Sequence, residues 1–166
     1  MSVLAIERLE VTAEAVVATV RVVDSALART RAVPGLATRL SELLPDIVRH
    51  RCDCGSSHGV LAELADTETP HLLEHIALEM MALAGSPRTL RGATSWDFAR
   101  DGRGVFEVRL AYDDADVALA ALRAGSAIVD GLFGEAVVPG VDSAVEHLKA
   151  ARPLQRGLGE GLHALR

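Results

Sequence analysis

Aromatic residues are scarce in this chain: one Trp, one Tyr and three Phe among 166 residues. With 49% of residues hydrophobic, the core must be built mostly from Leu, Val and Ala, which suits helices packed on a sheet. Cysteine is almost absent. Cys52 and Cys54 are the only two, and a CxC pair is neither a disulfide framework nor a complete zinc site. No run approaches the roughly 18 to 20 uninterrupted apolar residues of a spanning helix, so no membrane segment is expected. Met1 to Val11 shows no basic leader followed by an apolar region, which predicts no secretory signal and a cytoplasmic protein. Positive charge is in deficit, 17 Lys and Arg against 23 Asp and Glu. That balance argues against a nucleic-acid partner and leaves cationic ligands open. Internal repeats are missing as well. The length fits a single domain over 1–150, followed by a glycine-bearing, loosely ordered tail over 151–166.

What is present reads as an α/β (α+β) fold, a small sheet of about three to four strands packed by several helices. Val3 to Val11 and Ala15 to Val23 carry β-branched residues in loose alternation and predict a hairpin. After Pro34-Gly35, leucines at 36, 40, 43 and 44 predict a helix ending near Pro45. A short helix over Gly59 to Asp66 is expected next. Thr67-Glu68-Thr69-Pro70 then supplies a helix start, with Thr67 or Thr69 as cap, and Gly85 a stop. Pro87 to Gly104 reads as a long connection rich in Gly, Arg and Ser/Thr, with Trp96 as an anchor. Val105 to Tyr112 alternates as a strand, and a long Ala/Leu helix follows to about Leu132, opened by the acids Asp113, Asp114 and Asp116. A last amphipathic helix covers Val141 to Ala151.

The chemistry concentrates in His71-Leu72-Leu73-Glu74-His75. Residues four apart on a helix share one face, roughly 6 Å apart along the axis, so both imidazoles can reach one ion. Glu74 lies beside them, where a general base for water activation belongs. A hydrolytic zinc site takes three protein ligands, so a third is needed. Glu79 is one turn further on, but its Cα lies roughly 9 Å along the axis from the midpoint of the histidines, which favours a salt-bridging role. Asp114 and Asp116 open a helix that can lie alongside, although capping also accounts for them. Glu107 and Cys52 are further possibilities, since two His and one thiolate also bind zinc. Arg88 and Arg91 can hold substrate carboxylates through paired hydrogen bonds.

Pro34-Gly35-Leu36, Arg39-Leu40, Leu44-Pro45, His50-Arg51-Cys52 and Gly55, leading into His71-Leu72-Leu73-Glu74-His75-Ile76-Ala77-Leu78-Glu79, resemble the N-terminal domain of cyanophycin synthetase. That family carries PGxxxRLxxLLPxLxxHxCSxG followed by HxxEHxALELQ, and the resemblance extends over roughly Pro34 to Leu132. It implies similarity to a half-domain of the pitrilysin-type zinc peptidases. It also implies that His71 and His75 hold the metal, that Glu74 activates water and that Asp116, near a family glutamate, is the third ligand. In some cyanophycin synthetases this domain trims the polymer into primers.

Several positions depart from the pattern. Cys52-Asp53 replaces Cys-Ser, Met80 replaces the final Gln, and Arg88-Thr89-Leu90-Arg91 only partly echoes a GRTR-like run. No nucleotide-binding machinery is expected in this chain, so synthesis by it alone is not expected either. The expectation is a zinc-dependent hydrolase of amide bonds in a peptide-like polymer, cyanophycin or a related Asp/Arg polymer, working beside a separate synthetase. The alternative is a non-catalytic module of the same fold that binds the polymer or the synthetase.

Overall fold

The Val-rich start folds as the expected hairpin in the computed structural model, which describes residues 2–50 and 60–152. β1 (Leu4–Val11) and β2 (Ala15–Val22) pair antiparallel, with Leu4 opposite Val22 and Val11 opposite Val16. Thr12 closes the turn: its hydroxyl donates to the Ala15 carbonyl at 2.9 Å and accepts from the Ala15 N–H at 3.0 Å. Two further strands, β3 (Gly92–Ser95) and β4 (Val105–Ala111), complete a four-stranded antiparallel sheet in the order β1-β2-β4-β3.

Register decides which face of the sheet is dry. Val16, Ala18 and Val20 stand opposite Leu110, Val108 and Phe106, and all six are buried. Their neighbours Thr19, Arg21, Glu107 and Arg109 alternate onto the other face, the arrangement of a sheet covered on one side only.

Among the described residues six α-helices form: α1 (Leu36–Leu43), α2 (Val60–Leu64), α3 (Thr69–Leu83), α4 (Phe98–Asp101), α5 (Ala115–Leu132) and α6 (Val141–Ala151). α3 is buried along nearly its whole length, because it packs on β3 and β4 with α5 beside it on the sheet and α6 against it. Gly125 allows α5 to come close: a Cβ there would stand 2.9 Å from Leu73 Cδ1. No described helix is long and apolar enough to cross a membrane.

Two local readings are corrected. The connection from Pro87 to Gly104 contains β3 and α4. Gly-Ala-Thr-Ser has no apolar alternation, and it becomes a strand by pairing with β4, Gly92 opposite Leu110 and Ser95 opposite Glu107. At the start of α3 the capping residue is Glu68, with no side-chain cap bond. The two threonines are used elsewhere: Thr69 donates its hydroxyl to the Leu27 carbonyl at 2.6 Å, and Thr67 turns to His71. Trp96, half exposed, stacks on Phe98 and packs edge-on to Phe106. Of the tail read over 151–166, residues 153–166 lie outside the described residues.

Candidate metal centre

One turn of α3 brings the Nε2 atoms of His71 and His75 to 3.2 Å from each other. Two nitrogens bound at about 2.05 Å to a tetrahedral ion stand about 3.3 Å apart. The pair is therefore spaced to share one zinc-sized ion. Glu74 joins them, since one ligand atom from each of His71, Glu74 and His75 lies within 4.8 Å of the others. All three are buried, with 7%, 5% and 2% of their surface exposed.

Burial shifts the proton affinity of Glu74 and His75. It pushes the His75 imidazole down to about 3, helped by repulsion from His71 and His50, and the neutral ring is the form that ligates metals. Burial also raises the Glu74 carboxyl, against a hydrogen bond from Thr94 and the attraction of His71. A carboxylate lifted in this way is a better base at neutral pH.

Each histidine is held through its other nitrogen. His71 Nδ1 lies 2.8 Å from Thr67 Oγ1, and Thr67 is itself fixed by Thr30, whose hydroxyl accepts from the Thr67 N–H at 2.9 Å. His75 Nδ1 lies 3.3 Å from His50 Nδ1, and His50 Nε2 lies 2.7 Å from Glu79 Oε2. Arg88 donates to both Glu79 oxygens, at 2.8 and 3.0 Å, and to Asp46 at 3.3 Å. Glu79 is fully buried. Burial raises its carboxyl, but the bonds from His50 and Arg88 outweigh that effect and hold it below the usual carboxylate range.

β3 supplies the facing wall. Thr94, opposite Val108, and Gly92, opposite Leu110, share the sheet face turned to α3. Thr94 Oγ1 donates to Glu74 Oε2 at 2.6 Å. At Gly92 a Cβ would lie 2.6 Å from Glu74 Cγ and Oε1, so only glycine leaves room for this carboxylate. Between α3, β3 and the 87–91 segment opens a cavity of about 760 Å³, within the size range of small-ligand sites.

The structure thus brings His71, Glu74 and His75 together. Glu79 is engaged by Arg88 and His50. Arg88 and Arg91 both line the cavity, but the Arg88 guanidinium is taken up by Glu79 and Asp46. Arg91 is exposed and makes no ion pair among the described residues. Asp114 caps α5, its carboxylate accepting from the N–H groups of Asp116 and Val117 at 3.0 and 3.2 Å. Asp116 is exposed in the first turn of α5, and neither aspartate is among the residues lining the cavity. Glu107, paired with Ser95 and Thr19, is on the face away from α3. Cys52 lies outside the described residues. Sequence reasoning assigned no role to His50, Thr94 or Gly92. His50 stands in the run shared with the family, but in a short polar segment whose spacing predicts no face. Gly92 and Thr94 acquire theirs only from pairing with β4.

The cyanophycin synthase-like N-terminal domain family matches residues 12–134. Among curated proteins, cyanophycin synthetase of Crocosphaera subtropica is 33% identical over 107 residues, 59% of this chain and 11% of that protein. The cyanophycin synthetases of Synechocystis sp. and Geminocystis herdmanii are 36% and 39% identical over 63 and 56 residues. These matches cover 37% and 33% of this chain, but 7% and 6% of the relatives. The chain therefore spans about a tenth of the length of the curated relatives it matches.

Proposed function

The chain belongs to the cyanophycin synthase-like N-terminal domain family, and from that premise we propose that it is a zinc-dependent hydrolase of amide bonds in a peptide-like polymer. The observation that carries this reading is the 3.2 Å separation of the His71 and His75 Nε2 atoms beside the buried Glu74. Two imidazoles one turn apart suit zinc as ligands, with a carboxylate beside them as the base. His71 and His75 would hold the ion, which would supply Lewis-acid polarisation of water and of the substrate carbonyl.

Glu74 performs the proton transfers. Thr94 occupies its Oε2 and leaves Oε1, in the space that Gly92 keeps open, to accept a proton from the attacking water. Because burial raises its pKa, the same carboxyl can carry that proton to the departing amine nitrogen. The cavity beside it presents Arg91 and Trp96 along the β3 wall, where an arginine can hold an acidic side chain of the polymer. The relatives' name makes cyanophycin the first polymer to assay, with a separate synthetase as the enzyme that would extend the fragments.

The test is cleavage of the polymer by the zinc-loaded protein and by its Glu74→Gln variant. Release of new amino termini by the wild type, lost in the variant while zinc is retained, is the expected result. Equal cleavage by both would remove Glu74 from the mechanism, and binding of the polymer without cleavage would favour a non-catalytic module.

A further inference from the structure

His50, Glu79 and Arg88 are outside the group that would touch an ion, yet they run in one hydrogen-bonded line from its edge, through the buried Glu79 to the exposed Arg88. The direction of every hydrogen bond in that line follows from its far end. Arg88 only donates, and it donates to both oxygens of Glu79, so Glu79 is a carboxylate with no proton to give. His50 Nε2, 2.7 Å from Glu79 Oε2, must then carry a hydrogen. With His50 neutral, its single N–H is this one, and His50 Nδ1 is a lone pair. The atom facing it, His75 Nδ1 at 3.3 Å, must be the donor. That leaves a lone pair on His75 Nε2, the atom 3.2 Å from His71 Nε2.

We propose that His50, Glu79 and Arg88 form a positioning relay that fixes His75 as its Nδ1–H tautomer and presents its Nε2 lone pair to a metal. The metal in this statement rests on the reading above; the tautomer does not. Partners on the outer nitrogen of a ligating histidine orient the ring and raise its basicity. Here that partner is a second histidine backed by a buried carboxylate and an arginine. Arg88 belongs to this relay, so its guanidinium serves the protein and not the substrate.

The test uses the full chain labelled with 15N-histidine and freed of metal, in which long-range 1H–15N spectra assign the imidazole tautomers. His75 is expected as Nδ1–H; an Nε2–H tautomer would overturn the relay. His50→Phe should abolish the preference. His50→Asn, whose side-chain oxygen sits where Nδ1 was, should keep it. Zinc affinity, read by competition with a chromophoric chelator, should fall about 10- to 100-fold in His50→Phe and in Glu79→Gln, with His50→Asn retaining most of it. Unchanged affinity in both weakened variants would overturn the relay, as would a changed Co(II) absorption pattern in His50→Phe, which would make His50 a ligand. A wild-type protein with the Nδ1–H tautomer and no zinc binding would uphold the relay's proton order and remove the metal reading.

Discussion

Replacing Gly92 by alanine isolates the placement of Glu74 from everything else in the site. Gly92 has no positive φ, so alanine meets no backbone strain there. Its Cβ would stand 2.6 Å from Glu74 Cγ and Oε1 and 2.8 Å from Cδ. Carbon atoms pack at about 3.5 Å or more, so the carboxyl must retreat by about 1 Å. The 2.6 Å bond from Thr94 stretches with it. A misplacement of that size at a reacting group costs on the order of 100-fold in rate, equivalent to about 2.7 kcal/mol. Overpacking adds a stability loss of about 1–3 kcal/mol. The three atoms nearest the new Cβ all belong to Glu74, so zinc affinity is expected to stay at the wild-type level. The assay is kcat/KM for polymer cleavage, with zinc affinity and urea unfolding on the same samples. Ser95→Ala, on the opposite face of β3, serves as the neutral control. Wild-type cleavage by Gly92→Ala would refute the reasoning. So would a rate loss that merely tracks loss of zinc.

Three further outcomes follow from the same geometry. Thr94→Val removes the donor that lowers the Glu74 pKa; the carboxyl rises further, and the acid limb of the kcat/KM profile should move to higher pH, whereas an unmoved limb would contradict the assigned bond. Asp114→Ala removes the cap of α5 and should destabilise the protein by about 1 kcal/mol with zinc affinity unchanged; a fall in affinity would show Asp114 to be a ligand. His75 is held at about 3 when folded against 6.5 as its ordinary value, so between those pH values the unfolded chain binds a proton that the folded chain does not. Stability of the metal-free protein is then insensitive to this group above pH 7 and falls with acidification below 6.5, by up to about 1.4 kcal/mol per pH unit. Urea unfolding at pH 7.5, 6 and 5 should show that slope in the wild type and not in His75→Gln.

The hairpin, β4 and the long helices are legible in the sequence because each carries its own period: Val16, Ala18 and Val20 alternate, and the leucines of α1 return at helical spacing. Three of the residues at the site are legible for the same reason, since a spacing of four on a helix is enough to place His71 over His75. What is not legible is everything that crosses between elements. Gly92 and Thr94 gain their meaning from their register against Leu110 and Val108, and a four-residue edge strand of small residues has no period to read. His50 is joined to His75 and Glu79 across 25 and 29 residues of sequence, a distance over which spacing carries no information. The Thr67 hydroxyl shows the same limit: a helix-start motif offers it as a cap, and the fold gives it to His71 instead.

The central claim is that His71 and His75 share one ion, and the measurement closest to it is a zinc titration of the metal-free protein by calorimetry, with His71→Ala and His75→Ala alongside. The account predicts one zinc per chain in the wild type and loss of that site in either variant while the fold persists. Failure of the wild type to bind zinc, or binding that survives both substitutions, would contradict it.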